Sequence, residues 1–237
     1  MILSRKNKPL YMQVKSILKD RILHGAYPIG ELIPSEPQLE LEFQVSKITV
    51  RNAIQELVQE GYLEKGSGKG TKVIRNTSSS KLSKRKSFTE ILVEEGHRIR
   101  KKMLGSKTVD NTPDSEPYRL FGSQCLLVER IYYLDDVPYI YYAHYISMQA
   151  GNPEPDDLDE QSLYGLLEEL EIAPVHFRDH FEIAAAPSGV AALLQVEAHV
   201  PLLRRSRYSR EQSGAFVEYS VGYYNTSLQP YLVDYDA

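Results

Sequence analysis

Six consecutive residues, Ser46-Lys47-Ile48-Thr49-Val50-Arg51, bring together two hydroxyls and two cations. At the start of a helix such a set has a use. Hydroxyls and free backbone N–H groups hold phosphate oxygens, while Lys47 and Arg51 can reach phosphate or the edge of guanine. Further along, Ser67-Gly68-Lys69 offers bare backbone N–H groups and an ammonium for a groove edge. A blander reading stands beside this one, with Ser46 only a helix cap and the cations only a solvated face. Other combinations point away from catalysis. His176 and His180 have the spacing of a helical metal pair, but their segment alternates as a strand. Four residues of strand separate them by ~13 Å, too far to share one ion without a bend. His24, His97, His144 and His199 are scattered, and no nucleophile elbow, phosphate loop or dinucleotide fingerprint is present. The single cysteine, Cys125, lies in an apolar run and reads as a buried, inert thiol. No disulfide can form within the chain, which predicts a reducing cytoplasm. No metal or cofactor is implied, and an enzyme is not expected.

The charge distribution separates two modules. The 237-residue chain has a formal net charge of −4. Residues 1–86 carry 16 Lys+Arg against 8 Asp+Glu, a net of +8, whereas residues 87–237 carry 12 against 24, a net of −12. A basic half joined to an acidic half is the pattern of a nucleic-acid reader attached to a different kind of domain. Hydrophobic residues at 42% and charged residues at 25% are ordinary for a globular protein. No apolar run approaches the ~20 residues a membrane span needs, and the first residues lack the pattern of a signal peptide.

These residues must be positioned by elements, and the apolar spacing predicts which. Leu10, Val14, Ile17, Leu18, Ile22 and Leu23 recur at three- and four-residue steps between Pro9 and Gly25, one face of a helix. A short second helix opens at Pro34-Ser35-Glu36, with Leu39, Leu41 and Phe43 expected on its apolar side. Ser46 is placed to cap a third, with Ile48, Val50, Ile54, Leu57 and Val58 expected inward and Gly61 ending it. Residues 62–65 and 71–74 then flank a Gly-rich turn, as in an antiparallel hairpin. Residues 76–86 are polar and rich in Ser and Lys, so they read as a linker between domains at 1–75 and 87–237. In the second half helices are expected near residues 89–95, 162–170 and 188–194. Hairpins are expected at 125–134 with 137–146 and at 202–210 with 216–224. A strand at 175–183 should place Val175, Phe177, Phe181 and Ile183 on one face. Helices among antiparallel hairpins predict an α+β fold on a mostly antiparallel sheet.

Six spaced blocks now carry a resemblance: Pro9-Leu10-Tyr11-x-Gln13-Val14, Gly25-x-Tyr27-x-x-Gly30, Ile33-Pro34-Ser35-Glu36, Val45-Ser46-Lys47-x-Thr49-Val50-Arg51, Glu60-Gly61 and Gly68-Lys69-Gly70-Thr71-x-Val73. Over residues 9–75 the chain closely resembles the N-terminal winged helix-turn-helix of GntR-type transcriptional regulators. The resemblance implies contacts to double-stranded operator DNA from Ser46, Lys47, Thr49, Arg51, Gly68 and Lys69. Two departures bear on base readout. Pro37 stands where many relatives have a DNA-contacting arginine. Lys47 stands where many have arginine, and lysine cannot make the bidentate fork to guanine.

Residues 85–233 resemble the effector-binding domain of the HutC-like branch (UTRA), which has a chorismate-lyase-like fold. The blocks are Ser87-Phe88-Thr89-Glu90, Glu129-Arg130-Ile131-Tyr132, Asp135-Asp136-Val137-Pro138, Ser162-Leu163-Tyr164 and Glu218-Tyr219-x-x-x-Tyr223-Tyr224. The resemblance implies an effector pocket lined by Ser87, Phe88, Thr89, Arg130, Tyr132, Tyr142, Ser162, Tyr164, Glu218 and Tyr224. Hydroxyls at a loop-to-helix junction attract anions, Arg130 supplies a countercharge, and Glu218 accepts from a hydroxyl or amine. Tyr132 replaces a second arginine found in several relatives, and Tyr142 replaces a glutamate found in others. The expectation is a homodimeric, ligand-responsive regulator with no membrane association, most simply a repressor of a nearby catabolic or transport operon. A small polar effector such as a sugar phosphate would release it. An activator, or a sensor of an amino-acid derivative, is the alternative.

Overall fold

The computed structural model describes residues 9–66, 70–76, 91–93, 95–148, 163, 167 and 172–233. The chain divides into two compact units, Met1–Ile99 with Val233–Ala237, and Arg100–Leu232.

In the first unit, helix α1 (Leu10–Leu23) buries Val14, Ile17, Leu18 and Ile22, the stripe its spacing predicts. It ends at Gly25 with φ +75°, where an added Cβ would meet the His97 carbonyl oxygen at 3.1 Å. Only glycine suits both that backbone and that approach. Helix α2 (Glu36–Phe43) begins with a capping box, the Ser35 N–H donating to Gln38 Oε1 at 2.8 Å. Pro37 falls in its first turn, where the missing N–H has no intrahelical partner to lose. Gln44, in the left-handed conformation, turns the chain into α3 (Lys47–Gln59), capped by Ser46. Strands β1 (Leu63–Gly66) and β2 (Gly70–Val73) pair antiparallel as the wing, with Leu32 bridging to Lys72 beside them. The inward faces of all three helices meet Ile33, Tyr62, Leu63 and Val73 in one core.

Two inward assignments are corrected. Leu41 is 82% exposed and Ile48 is 60% exposed. Each lies two residues from a buried neighbour, which is ~200° around a helix. The buried residues that define the inner faces are Leu39 and Phe43 on α2, and Val50, Ala53, Ile54 and Leu57 on α3.

The second unit is built on a six-stranded sheet in the order β3-β4-β5-β8-β7-β6. Its strands are β3 (Ile99–Asp110), β4 (Gln124–Leu134), β5 (Val137–Ile146), β6 (His176–Ala185), β7 (Pro201–Arg210) and β8 (Phe216–Tyr224). The pairs β4–β5, β5–β8, β8–β7 and β7–β6 are all antiparallel, so the α+β expectation holds. At the β4–β5 turn Asp135 and Asp136 both have positive φ, 47° and 70°. That is the geometry of a tight hairpin whose twist matches its strands. Helix α4 (Glu116–Phe121) and strand β3 were not anticipated, because β3 is polar along most of its length, so the alternation in its burial has no counterpart in apolar residues. Helix α5 (Ser188–Leu194) has the expected bounds. Of the other two expected helices, residues 91–93, 163 and 167 are helical, and their remainder lies outside the described residues apart from Glu95. On β6, Phe177, Phe181 and Ile183 share a face as expected, but Asp179 lies between Phe177 and Phe181 on that face, and the three are 41%, 47% and 78% exposed. Among the described residues β6 is an edge strand, with its row of backbone groups paired on one side.

One face of the sheet packs Ile131, Tyr141, Ala143 and Leu202 against Val190 and Leu194 of α5. The opposite face buries Leu126, Val128 and Ile146 against Leu167 and Ile172. Beside that apolar patch, on the same face, the character changes to polar.

Candidate DNA-reading face and ligand-binding face

Ser46, Lys47, Thr49 and Arg51 come together at the N-terminus of α3. The Ser46 hydroxyl lies 2.9 Å from the Thr49 hydroxyl and accepts from the Thr49 N–H at 3.4 Å. Both bland and functional readings of Ser46 are therefore compatible, since a cap also presents its hydroxyl at the helix mouth. Lys47 and Arg51 are exposed. Arg51 is held in place, Nη2 and Nε donating to Glu36 Oε2 at 3.1 and 3.3 Å. Lys65 on the wing reaches the other oxygen of Glu36 at 3.4 Å. Burial pushes the Glu36 carboxyl up, but Arg51 and Lys65 outweigh it and hold the group below the usual carboxylate range. One carboxylate thus poises a cation from α3 and a cation from the wing. Sequence reasoning missed Glu36 and Lys65 in this role because the α2–α3 approach is tertiary. Gly68 and Lys69 lie outside the described residues.

On the sheet, antiparallel pairing places directly opposed residues on one face. One row runs Arg130, Tyr142, Gly222, Arg205, Phe181 across β4, β5, β8, β7 and β6. The next runs Val128, His144, Ser220, Arg207, Asp179, and the rows on either side contain Glu218 with Ser209 and Tyr132 with Tyr224. Five of the ten expected effector residues, Arg130, Tyr132, Tyr142, Glu218 and Tyr224, therefore share a face. Arg130, Glu218 and Tyr224 are buried, Tyr132 and Tyr142 half-buried. Ser87, Phe88, Thr89, Ser162 and Tyr164 lie outside the described residues.

The same face holds polar groups the sequence did not single out: His144, Asp179, Arg205 and Arg207. Asp179 accepts from Arg205 at 2.9 Å and from Arg207 through two bonds of 2.8 and 2.9 Å. Arg205 also donates to the Tyr224 hydroxyl at 3.3 Å, and that hydroxyl is hydrogen-bonded to the hydroxyl of Tyr142. The Tyr142 ring can reach it because β8 has glycine at the crossing point. A Cβ on Gly222 would stand 2.6 Å from Tyr142 Cε1. Burial opposes the charge of Arg205, but neighbouring tyrosines and Asp179 more than offset it, so Arg205 is a permanent cation. His144 is fully enclosed. Burial lowers its pKa, Arg130 and Arg205 lower it further, and Glu218 opposes them, so the imidazole is neutral at physiological pH. Its Nδ1 is 3.6 Å from Glu218 Oε1, just beyond hydrogen-bonding reach. Glu218 Oε2 accepts from the Ser209 hydroxyl at 2.5 Å. Cys125 is buried as expected, its thiol donating to Asn111 Oδ1 at 3.0 Å. His176 and His180 lie on β6 as the alternation predicted, His180 packed 5.3 Å from the Tyr208 ring.

A winged helix-turn-helix joined to a sheet with a buried polar face defines a ligand-responsive, DNA-binding transcriptional regulator. Family models agree: residues 10–73 match the gntR family of bacterial regulatory proteins, and residues 94–228 match the UTRA domain. The chain belongs to the gntR family, in the branch that carries a UTRA domain, and its relatives are regulators rather than enzymes. It is 31% identical over 208 residues to the "Probable fructoselysine utilization operon transcriptional repressor" of Escherichia coli K12, covering 86% of this chain and 85% of that one. It is 25% identical over 219 residues to the HTH-type transcriptional repressor NagR of Bacillus subtilis, covering 91% and 90%. The fold is shared with the crystal structure of PhnF from Mycobacterium smegmatis, at a TM-score of 0.56 and 23% identity, covering 94% and 99%.

Proposed function

We propose that the chain is a homodimeric repressor whose grip on operator DNA is released by a small anionic metabolite bound on the polar face of the sheet. The observation that carries the ligand half is the convergence of Arg130, Tyr132, Tyr142, Glu218 and Tyr224 on that one face, from three strands. For the DNA half, Ser46, Lys47, Thr49 and Arg51 form the reading edge, with Gly68 and Lys69 at the wing tip. Ser87, Phe88, Thr89, Ser162 and Tyr164 complete the pocket in this reading. The DNA-binding domain is assigned to 1–75, the linker to 76–86 and the sensor to 87–237.

Repression is favoured by the relatives, two of which are named as repressors. Dimerisation is supported by β6, an edge strand on which Phe177, Phe181 and Ile183 are exposed on either side of Asp179. A symmetric dimer would set two α3 helices on the half-sites of a pseudopalindrome. Among the described residues no helix is long and apolar enough to cross a membrane, and the proposed site of action is the cytoplasm, where the operator is. Because Tyr132 occupies the place of a second arginine, a carboxylate-bearing amino-acid derivative fits the pocket as well as a sugar phosphate. The ligand acts only through its differential affinity for DNA-competent and DNA-incompetent states. The test is an operator selected from a random duplex pool, then titrated with and without candidate metabolites. Release from DNA by one of them is expected, and a chain that selects no duplex at all would refute the reading.

A further inference from the structure

Helix α3 turns an uncharged ridge away from the core. At ~100° per residue, Ile48, Asn52, Gln55 and Gln59 fall within an arc of ~60° centred opposite the buried Val50, Ala53, Ile54 and Leu57. All four are exposed. Ile48, at 60% exposure, lies outside the core of the first unit. The Asn52 side chain has no hydrogen bond or ion pair among the described residues. The cations stand apart, Lys47 and Arg51 along one flank of the ridge, with Arg51 tied to Glu36. Phosphates are held by charge and hydroxyls, whereas base edges are read by amides and apolar groups as well as by arginine. A lone exposed apolar side chain is ordinary. What sets Ile48 apart is its place, between Lys47 and Thr49 at the helix mouth.

The flanking cations leave base discrimination short. Pro37 and Lys47 remove two arginine forks from the reading edge, and Arg51 remains. Used once in each half-site of a dimer, one fork to guanine supplies ~30-fold to 10,000-fold. Specific DNA-binding proteins prefer their sites over other DNA by ~10³–10⁷-fold. We propose that Ile48 and Asn52 are specificity-determining residues of the DNA reader, Ile48 selecting a thymine by its 5-methyl group and Asn52 a nearby adenine by its N6 and N7 edge. The proposal rests on the reading of α3 as the recognition helix. The thymine methyl packs on the branched Ile48 side chain and leaves water. The Asn52 amide N–H donates to adenine N7, and its carbonyl accepts from the N6 amine. Four residues of helix advance ~6 Å and bases along a strand are ~3.4 Å apart, so the two bases lie within about two steps of each other.

The experiment uses the full chain and a duplex that it selects from a random pool. Each half-site is expected to hold a thymine and an adenine at about that separation. Replacing each thymine in turn by uracil removes only the methyl group, and 7-deazaadenine in place of adenine removes only the N7 acceptor. Fluorescence anisotropy at fixed salt compares these duplexes for the natural chain, Ile48→Ala and Asn52→Ala. At one position, uracil should cost the natural chain about fourfold in affinity per half-site, the worth of one buried methyl. Ile48→Ala should bind the thymine and uracil duplexes equally. Loss of N7 should cost the natural chain about fivefold per half-site, for one hydrogen bond, and should cost Asn52→Ala nothing. Tm and affinity for an unrelated duplex should be unchanged in both variants, since neither residue is buried or charged.

A natural chain indifferent to every uracil, or an Ile48→Ala chain that still discriminates thymine from uracil, overturns the Ile48 assignment. Asn52→Ala that still discriminates adenine from 7-deazaadenine overturns that of Asn52. An equal loss on selected and unrelated duplexes, or a lowered Tm in either variant, overturns base readout by that residue. A selected operator that neither variant reads differently sinks the base assignments and spares the reader, whereas a chain that selects no duplex sinks the reader itself.

Discussion

Arg51→Ala separates DNA reading from folding more sharply than any other single change. The Arg51 side chain is 48% exposed and its ion pair with Glu36 is solvent-screened, so its loss costs ~0–1 kcal/mol of stability. Alanine is at least as good a helix former as arginine, and no core contact is removed. Tm should therefore stay nearly constant. Binding should not. A bidentate contact to guanine is worth ~1–3 kcal/mol, and a dimer makes it twice, so operator affinity should fall on the order of 30-fold to 10,000-fold. A phosphate contact instead would show in the salt dependence, with each lost contact reducing the slope of log affinity against log salt by ~0.9. The loss also removes one of the two described cations that neutralise Glu36, and in this reading the freed carboxylate would repel phosphate. Fluorescence anisotropy across a salt series reads both quantities, and Arg51→Lys distinguishes them, since lysine restores a phosphate contact but not the fork to guanine. Operator affinity within twofold of the natural chain, with an unchanged salt slope, would refute the assignment.

Three further outcomes follow from the packing and the charges. Leu57→Ala opens a cavity in the core of the first unit, where Leu57 is fully buried, and should cost ~2–5 kcal/mol by denaturant unfolding. Ile48→Ala, at 60% exposure, should stay within ~0.5 kcal/mol of the natural chain, and an equal loss for the two would contradict the orientation of α3. Gly222→Ala drives a methyl to 2.6 Å from the Tyr142 ring. It should displace the ring, cost ~1–3 kcal/mol and blunt any ligand response, and full retention of both would show that Tyr142 need not cross β8. Burial raises the pKa of Glu60, but Lys15 and Lys19, at 2.5 and 2.8 Å, overcome it and hold the carboxyl low. Its stabilisation is present above the unfolded carboxylate range and lost as pH falls through the lowered value. Glu60→Gln should therefore be less stable than the natural chain near neutrality, by no more than ~1 kcal/mol, and the difference should shrink as pH falls below the usual carboxylate range. A stability difference that persists in acid would assign the effect to packing.

The helices of the first unit and both hairpins of the second were legible because each rests on local rules. Buried stripes recur every three or four residues, Ser46 caps, and Gly25 and Gly61 stop. The tight β4–β5 turn is made by two aspartates that tolerate positive φ. Where a local rule was ambiguous, the reading failed in an understandable way. Leu41 and Ile48 are apolar residues on the wrong side of short helices, and a hydrophobic residue at the surface leaves no mark in the pattern. β3 went unseen because a polar strand at the edge of a sheet needs no apolar alternation. The apolar alternation of β6 was seen, but that β6 lies at the sheet edge, with Asp179 of the same face drawn into the polar cluster, depends on strand order and register.

The same boundary runs through the polar face. Arg130, Glu218 and Tyr224 could be named from a resemblance because they sit in recognisable blocks. His144, Asp179, Arg205 and Arg207 could not, because their membership depends on the register of four strand pairings. A shift of one residue in any of them would turn those side chains to the opposite face. Sequence alone determined the two modules, the basic reader with Ser46, Lys47, Thr49 and Arg51 at its helix mouth, and the α+β character of the acidic half. Only the tertiary structure decided that Glu36 gathers Arg51 and Lys65, and that Arg205 stands in a row with Arg130. The physical reason is that charge, capping and periodicity act within a few residues of chain, whereas an ion cluster is assembled across strands and helices distant in sequence.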